Sequence, residues 1–109
     1  MRNLIIITAC LTLGSASLPA ADVKENWDKN CASCHGKDGK GETKAGKKAD
    51  VKDLTDAKYQ ESFTDEQMLQ QITEGMKDKS GKERMKPFRD KLSAEEIKAL
   101  VKFVRDFKK

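Results

Sequence analysis

Five residues constrain this chain more than any others: Cys31-Ala32-Ser33-Cys34-His35. A C-x-x-C-H run is the attachment signature of c-type haem. In such a run the two thiols add across the haem vinyl groups as thioethers, and the imidazole binds the iron. The spacing has a geometric reason. Residues three and four apart on a helical turn share a face, so Cys31, Cys34 and His35 can address one planar group. Two rival chemistries use the same cysteines. A redox-active disulfide of the C-x-x-C type usually sits beside a βαβ pattern, and none is visible here. A zinc site needs a fourth ligand, commonly from a second Cys/His pair. The chain has 1 His, and its third cysteine, Cys10, lies in a segment expected to be removed.

That segment is residues 1–21, which read as an export signal. Met1-Arg2-Asn3 is a short positive start, and Leu4 to Leu13 is mostly apolar. The run is too short for a bilayer-spanning helix, which needs ~20 apolar residues. Ala16-Ser17-Leu18-Pro19-Ala20-Ala21 follows, with cleavage expected after Ala20 or Ala21. An uncleaved anchor is the alternative. Ile7-Thr8-Ala9-Cys10 is similar to a lipoprotein cleavage site, but the apolar run continues past Cys10, so Cys10 reads as an ordinary residue of the signal.

Residues 22–109 then form a single small domain. A chain of this size buries too little apolar surface to be secure without a staple. Hydrophobic and charged residues each make up 37% of the sequence, which leaves a thin core. Cys31 and Cys34 are committed, so a covalently held haem with a large apolar face is the remaining staple. The net charge is +4, and Arg2 is the one charged residue of the signal. A basic balance suits nucleic acid, a membrane surface or an acidic partner. Export argues against nucleic acid. Lysines interleaved with acids give no basic amphipathic helix for a membrane.

Periodicity predicts three main helices and no convincing strand. The first starts at Asp22 as N-cap, carries Val23, Trp27 and Cys31 on one face, and ends at Gly36. Lys37 to Tyr59 reads as a long polar loop around a cofactor, with Val51, Leu54 and Tyr59 turned inward and a short helical turn within Asp53 to Gln60. The second helix has Thr64 as N-cap with Gln67 completing a capping box and Phe63 and Met68 as staple. Its buried stripe is Met68, Leu69, Ile72 and Met76, and Gly75 stops it. Asp78 to Lys91 is a second charged loop. Ser93 and Glu96 box the last helix, Leu92 and Ile97 staple it, and Ile97, Leu100, Val101, Val104 and Phe107 face the core.

From Asp22 to Phe107 the chain resembles a small class I cytochrome c, the bacterial mono-haem carriers and the cytochrome c6/c553-like group. The most specific match is the C-x-x-C-H run. Trp27 stands where the family has an aromatic four before the first haem cysteine. Leu100 and Phe103 fit the Leu-x-x-aromatic pair of the final helix. Met85-Lys86-Pro87-Phe88 fits the loop that carries the second iron ligand, with one inserted residue. Val23 replaces the family's usual Gly or Ala at the helix contact. Many members have a proline soon after the motif whose carbonyl accepts the proton of the haem-binding histidine; the prolines here are Pro19 and Pro87, so the proton on His35 must find another backbone carbonyl or go unpaired.

The resemblance implies an all-α fold: about three main helices plus short helical turns around one covalent haem c. It implies Cys31 and Cys34 as thioether attachments, and His35 and Met85 as axial ligands to the iron. Met76 is the competitor for Met85, since it sits just after Gly75. A methionine opposite histidine raises the reduction potential. Tyr59 fits a position where members place an aromatic near a haem propionate; a half-exposed loop tyrosine is the plain alternative. Lys47 and Lys48 are either near propionates or simply solvated. Lys37, Lys40, Lys82, Arg84 and Lys86 border the expected haem edge, as steering charge for a redox partner with an acidic patch or as ordinary solubilising charge. The implied function is a soluble, periplasmic, monomeric electron carrier and not an enzyme. The alternatives are a haem enzyme or ligand sensor with an exchangeable sixth site, and a cytochrome subunit of a larger oxidoreductase. If haem is the staple, the haem-free polypeptide shows no cooperative thermal transition in calorimetry.

Overall fold

The structure is a computed structural model that describes residues 20–109, with side chains described from Asp22. The elements run α1 (Ala20–Asn30), α2 (Ala32–His35), α3 (Lys44–Lys48), α4 (Ala57–Gln60), α5 (Asp65–Glu74), β1 (Met76–Lys77), β2 (Glu83–Met85) and α6 (Ala94–Arg105). Apart from Ala20 and Ala21, the expected signal segment with Cys10 lies outside the described residues. The fold is all-α, as the helical periodicity predicts, with one short hairpin that it does not predict.

Three helices make the frame because their ends are defined locally. Thr64 and Gln67 cap α5 reciprocally: Gln67 N donates to Thr64 Oγ1 at 3.1 Å, and Thr64 N to Gln67 Oε1 at 2.8 Å. Ser93 and Glu96 do the same for α6. Each box satisfies two backbone N–H groups that a helix start leaves orphaned. Gly75 ends α5 at φ 77°, a left-handed conformation open to glycine. The first helix differs from expectation. It starts at Ala20, so Asp22 lies within its first turn and is not its cap. An acid there still favours the positive end of the helix dipole.

The core sits where α1, α5 and α6 meet. Ile97, Leu100, Val101 and Val104 form the buried stripe of α6, facing Met68 and Ile72 of α5. Burying each such side chain contributes roughly 1.5–3 kcal/mol. Trp27, 2% exposed, is the aromatic centre, its ring 5.4 Å from Phe103 and 5.1 Å from Phe107. Asn26 Nδ2 donates to Glu96 Oε2 at 2.8 Å, which ties α1 to the start of α6.

Two expectations are corrected. The long polar loop holds, besides the short helical turn expected within Asp53 to Gln60, which is α4 capped by Asp56, a further short helix, α3, capped by Thr43. Gly46 inside α3 and the lysines around it hide that helix. The second charged loop holds a two-stranded antiparallel hairpin, with Met76 opposite Met85 and Lys77 opposite Glu83 across a register irregularity. Strands of two and three residues carry too little alternation to be read from sequence. In consequence Met76, expected on the α5 stripe, lies on β1 and is 42% exposed.

A polar clasp ties α4 and the start of α5 to the end of α6. Gln60 is 1% exposed, and its Nε2 donates to the carbonyls of Leu54 at 2.7 Å and Val104 at 2.8 Å. Arg105 supplies the third partner, donating to Gln60 Oε1 and to the carbonyls of Gln60 and Phe63. It also pairs with Asp65 at 2.7 Å and lies over the Phe63 ring. Truncating Gln60 strands two buried carbonyls, each worth ~1–3 kcal/mol. Gln60→Ala is expected to lower stability by about 2–3 kcal/mol, read as a lower urea midpoint of the haem-bearing protein at unchanged slope. Arg105→Lys also lowers it, because an ammonium lacks the planar fork.

Candidate haem site

The Cys31–His35 turn is held on every side by backbone hydrogen bonds. Cys31 N donates to the carbonyl of Trp27, and His35 N to that of Cys31, so the helix of α1 passes through a break at Cys31 into α2. Gly36 N closes on Ala32 O, and Gly36, at φ 79°, turns the chain out of the helix. This is the stop expected at Gly36. The returning loop then grips the motif. Gly41 N donates to the His35 carbonyl at 2.8 Å, and Thr43 Oγ1 to the Cys34 carbonyl at 2.7 Å. Trp27 Nε1 reaches past α2 to the Gly36 carbonyl at 3.0 Å.

Cys31 is buried and Cys34 half-buried, and the two are not joined in a disulfide. Burial first, and the neighbouring Cys34 second, push the Cys31 thiol up to about 12. Burial pushes the His35 imidazole below its ordinary range, so it is neutral at pH 7. Neutral imidazole is the metal-binding form. His35 Nδ1 is shut off from solvent without a hydrogen-bond partner among the described residues. Among those residues no group of three His, Cys, Asp or Glu side chains is placed to hold a metal ion.

The remaining predicted residues are spread around this turn. Met85 is half-buried on β2 and packs against the core. The end of α5 comes close behind it, for a Cβ on Gly75 would meet the Met85 carbonyl at 2.6 Å. Beside the hairpin lies a groove of about 320 Å³ lined by both Met76 and Met85. Asp78 clamps the hairpin tip. It accepts from the Ser80 hydroxyl at 2.6 Å and from the N–H groups of Ser80 and Lys82, and pairs with Arg84 at 3.0 Å. These contacts, the Ser80 hydroxyl foremost, hold its carboxyl down to about 2. Tyr59 is half-buried on α4, edge-on to Phe63 with ring centroids 5.2 Å apart. Lys47 and Lys48 are exposed on α3. Lys37, Lys40, Lys82 and Lys86 are exposed, whereas Arg84 is engaged by Asp78.

The family described as "Cytochrome C oxidase, cbb3-type, subunit III" matches residues 19–104. The chain belongs to that family. It is a c-type cytochrome domain, and such a domain carries covalently attached haem c and serves haem-based electron transfer. A solved structure described as "KustC0563 c-type cytochrome" is 38% identical, covering 79% of this chain and 96% of its own, with a TM-score of 0.69. A second, described as a tyrosine-to-phenylalanine mutant of Kustc0563, is also 38% identical, covering 80% of this chain and 99% of its own, with a TM-score of 0.67. No match was found among curated proteins.

The residues of this cytochrome domain fit the group. Two thiols three apart and an adjacent neutral imidazole lie on one turn, with a buried ring nitrogen left unanswered. Sequence reasoning misses two supports of that turn. Thr43 both caps α3 and holds Cys34. Gly46 lets α3 lie directly on the motif, since a Cβ there would collide with the carbonyls of Cys34 and Gly41. Both obstacles are backbone and cannot move aside. Gly46→Ala is therefore expected to cost upward of ~3 kcal/mol, seen as a lower unfolding midpoint and a poor yield of haem-bearing protein. The conservative control Ala45→Gly costs about 1 kcal/mol or less.

Proposed function

We propose that this cytochrome is an exported, periplasmic one-electron carrier in which Cys31 and Cys34 hold the haem through thioethers and His35 and Met85 bind the iron from opposite sides. The observation that carries the reading is the C-x-x-C-H turn itself, folded with His35 neutral and its Nδ1 turned into the protein. With Nδ1 facing the protein, Nε2 is the nitrogen left for the iron. The haem supplies a single Fe(III)/Fe(II) couple; the chain supplies its burial, its ligands and an accessible edge.

Burial favours Met85 as the second ligand. Met68 is committed to the α5 stripe and Met76 is the exposed member of the cross-strand pair, whereas Met85 faces the core. A thioether at the sixth position leaves no open site for oxygen or peroxide, so the chain needs no catalytic acid or base. Tyr59, edge-on to Phe63, is the candidate propionate contact. The exposed Lys37, Lys40, Lys82 and Lys86 are steering charge toward an acidic redox partner. Among the described residues no helix is long and apolar enough to cross a membrane. A monomer that leaves the membrane after signal cleavage fits this reading.

A second reading rests on the family description, which names an oxidase subunit. As a dedicated subunit the domain would copurify with a fixed partner, whereas a free carrier is recovered alone. A sensor or haem enzyme would be high-spin and would take up carbon monoxide at once.

Met85→Ala is expected to abolish the sulfur-to-iron charge-transfer band and open the sixth position, while Met76→Ala keeps the band. The reverse result assigns the ligand to Met76. Electron-transfer rates with an acidic partner are expected to fall as salt rises from ~0.01 to ~0.15 M, where the screening length shrinks from about 30 to 8 Å. Rates that do not change would remove the steering role.

A further inference from the structure

The hairpin that carries Met85 is tied to the molecule at its base and to itself at its tip, and a single side chain makes the second tie. At the base, Phe88 N donates to the Ile72 carbonyl at 3.0 Å and Arg89 N to that of Thr73 at 3.3 Å. At the tip, the two oxygens of the Asp78 carboxylate serve different groups. Oδ1 accepts from the Ser80 hydroxyl at 2.6 Å, from Ser80 N at 2.9 Å and from Lys82 N at 3.0 Å. Oδ2 accepts from Arg84 Nε at 3.1 Å and lies 3.0 Å from Arg84 Nη2. The Asp78 backbone closes the same loop: its N–H donates to the Lys82 carbonyl at 2.9 Å, and its carbonyl accepts from Gly81 N at 3.0 Å. Arg84 is the residue that breaks the ladder. Met76 opposes Met85 and Lys77 opposes Glu83, so three residues of β2 face two of β1 and Arg84 is left over. Such a bulge bends its strand and re-aims the side chains beside it. Met85 is the next residue.

We propose that Asp78 is a positioning residue for the sixth iron ligand: it holds the hairpin tip with one carboxylate oxygen and the bulged Arg84 with the other, and so keeps the Met85 thioether presented to the haem. This rests on the reading of Met85 as that ligand. Strands of two and three residues have few ladder bonds with which to fix their own register. A one-residue slip turns a strand's side chains to its other face. Met85 is half-buried against the core while its cross-strand partner Met76 is 42% exposed, so this hairpin sets one thioether inward and leaves the other in solvent. Without the carboxylate, the N–H groups of Ser80 and Lys82 lose their acceptor and Arg84 loses its partner, while the bonds at the base remain. The hairpin then spends more of its time with Met85 withdrawn, and the packed helices are left as they were.

The test uses the ferric haem-bearing protein titrated with imidazole. Imidazole reaches the iron only while Met85 is away, so its apparent affinity rises in proportion to the fraction of molecules in which the hairpin has let go. Asp78→Ala is expected to tighten imidazole binding roughly tenfold, the factor that loss of a side-chain cap on backbone N–H groups commonly carries. Before imidazole is added, its sulfur-to-iron band persists. Ser93→Ala removes the cap of α6 and leaves the hairpin contacts intact. It is expected to lower the urea midpoint but to leave the imidazole affinity within about twofold. An unchanged affinity in Asp78→Ala, or an equal tightening in both variants, overturns the proposal. Should Asp78→Ala fail to mature, Ser80→Ala decides. It removes only the hydroxyl contact and is expected to tighten imidazole binding about threefold; no change overturns the proposal. Met85→Ala tests the underlying reading separately. It is expected to lose the band and to bind imidazole more tightly than any of these variants. A band that survives in Met85→Ala sinks the ligand reading, whereas a lost band beside an unchanged Asp78→Ala sinks the positioning role alone.

Discussion

The carbonyl groups of one helical turn organise this molecule. Those of Cys31, Cys34, His35 and Gly36 accept, in order, from the turn itself, from Thr43, from Gly41 and from Trp27 together with Gly39. Each donor arrives from a different piece of chain, so the motif is the point at which α1, the returning loop and α3 are fixed relative to one another. A short chain with few apolar residues has little else with which to fix them. Buried backbone groups must be paired, and here that obligation is turned into architecture around the attachment turn.

Legibility in the sequence follows the range of the interactions. The capping boxes at Thr64 and Ser93, the stop at Gly75 and the α6 stripe are decided within a few residues, and each is readable. So is the C-x-x-C-H run, whose spacing is its meaning. Interactions that join distant pieces are not readable. Nothing near Gln60 in sequence announces that its amide will bridge Leu54 and Val104, or that Arg105 will complete it. The α3 helix is masked by Gly46, a poor helix residue kept there because α3 lies against the Cys34 carbonyl. The hairpin is invisible because its strands are too short for a pattern, and Met76 is misplaced with it. Trp27 is legible as a packing aromatic, but its hydrogen bond to Gly36 depends on where α2 ends.

The hairpin gives the region of Met85 an organisation distinct from that of the core. Its base is packed: Phe88 N and Arg89 N donate to carbonyls of Ile72 and Thr73 at the end of α5. Its tip is exposed and depends on the Asp78 carboxylate for its internal order. Stability along this segment therefore falls from base to tip, with Met85 between the two. Local openings in proteins begin in such exposed, sparsely packed stretches.

The phenylalanine partners of Trp27 and the arginine that closes on Gln60 all belong to the last helix and the residues just after it. Lys109 N even returns to the Thr55 carbonyl. A chain that emerges from its amino end first cannot make any of these contacts until α6 and the residues after it are out. Cys31, carried near the front, precedes the α6 side chains of its own buried cluster by most of the length of the domain. Until α6 docks, the buried cluster around Cys31 is therefore incomplete.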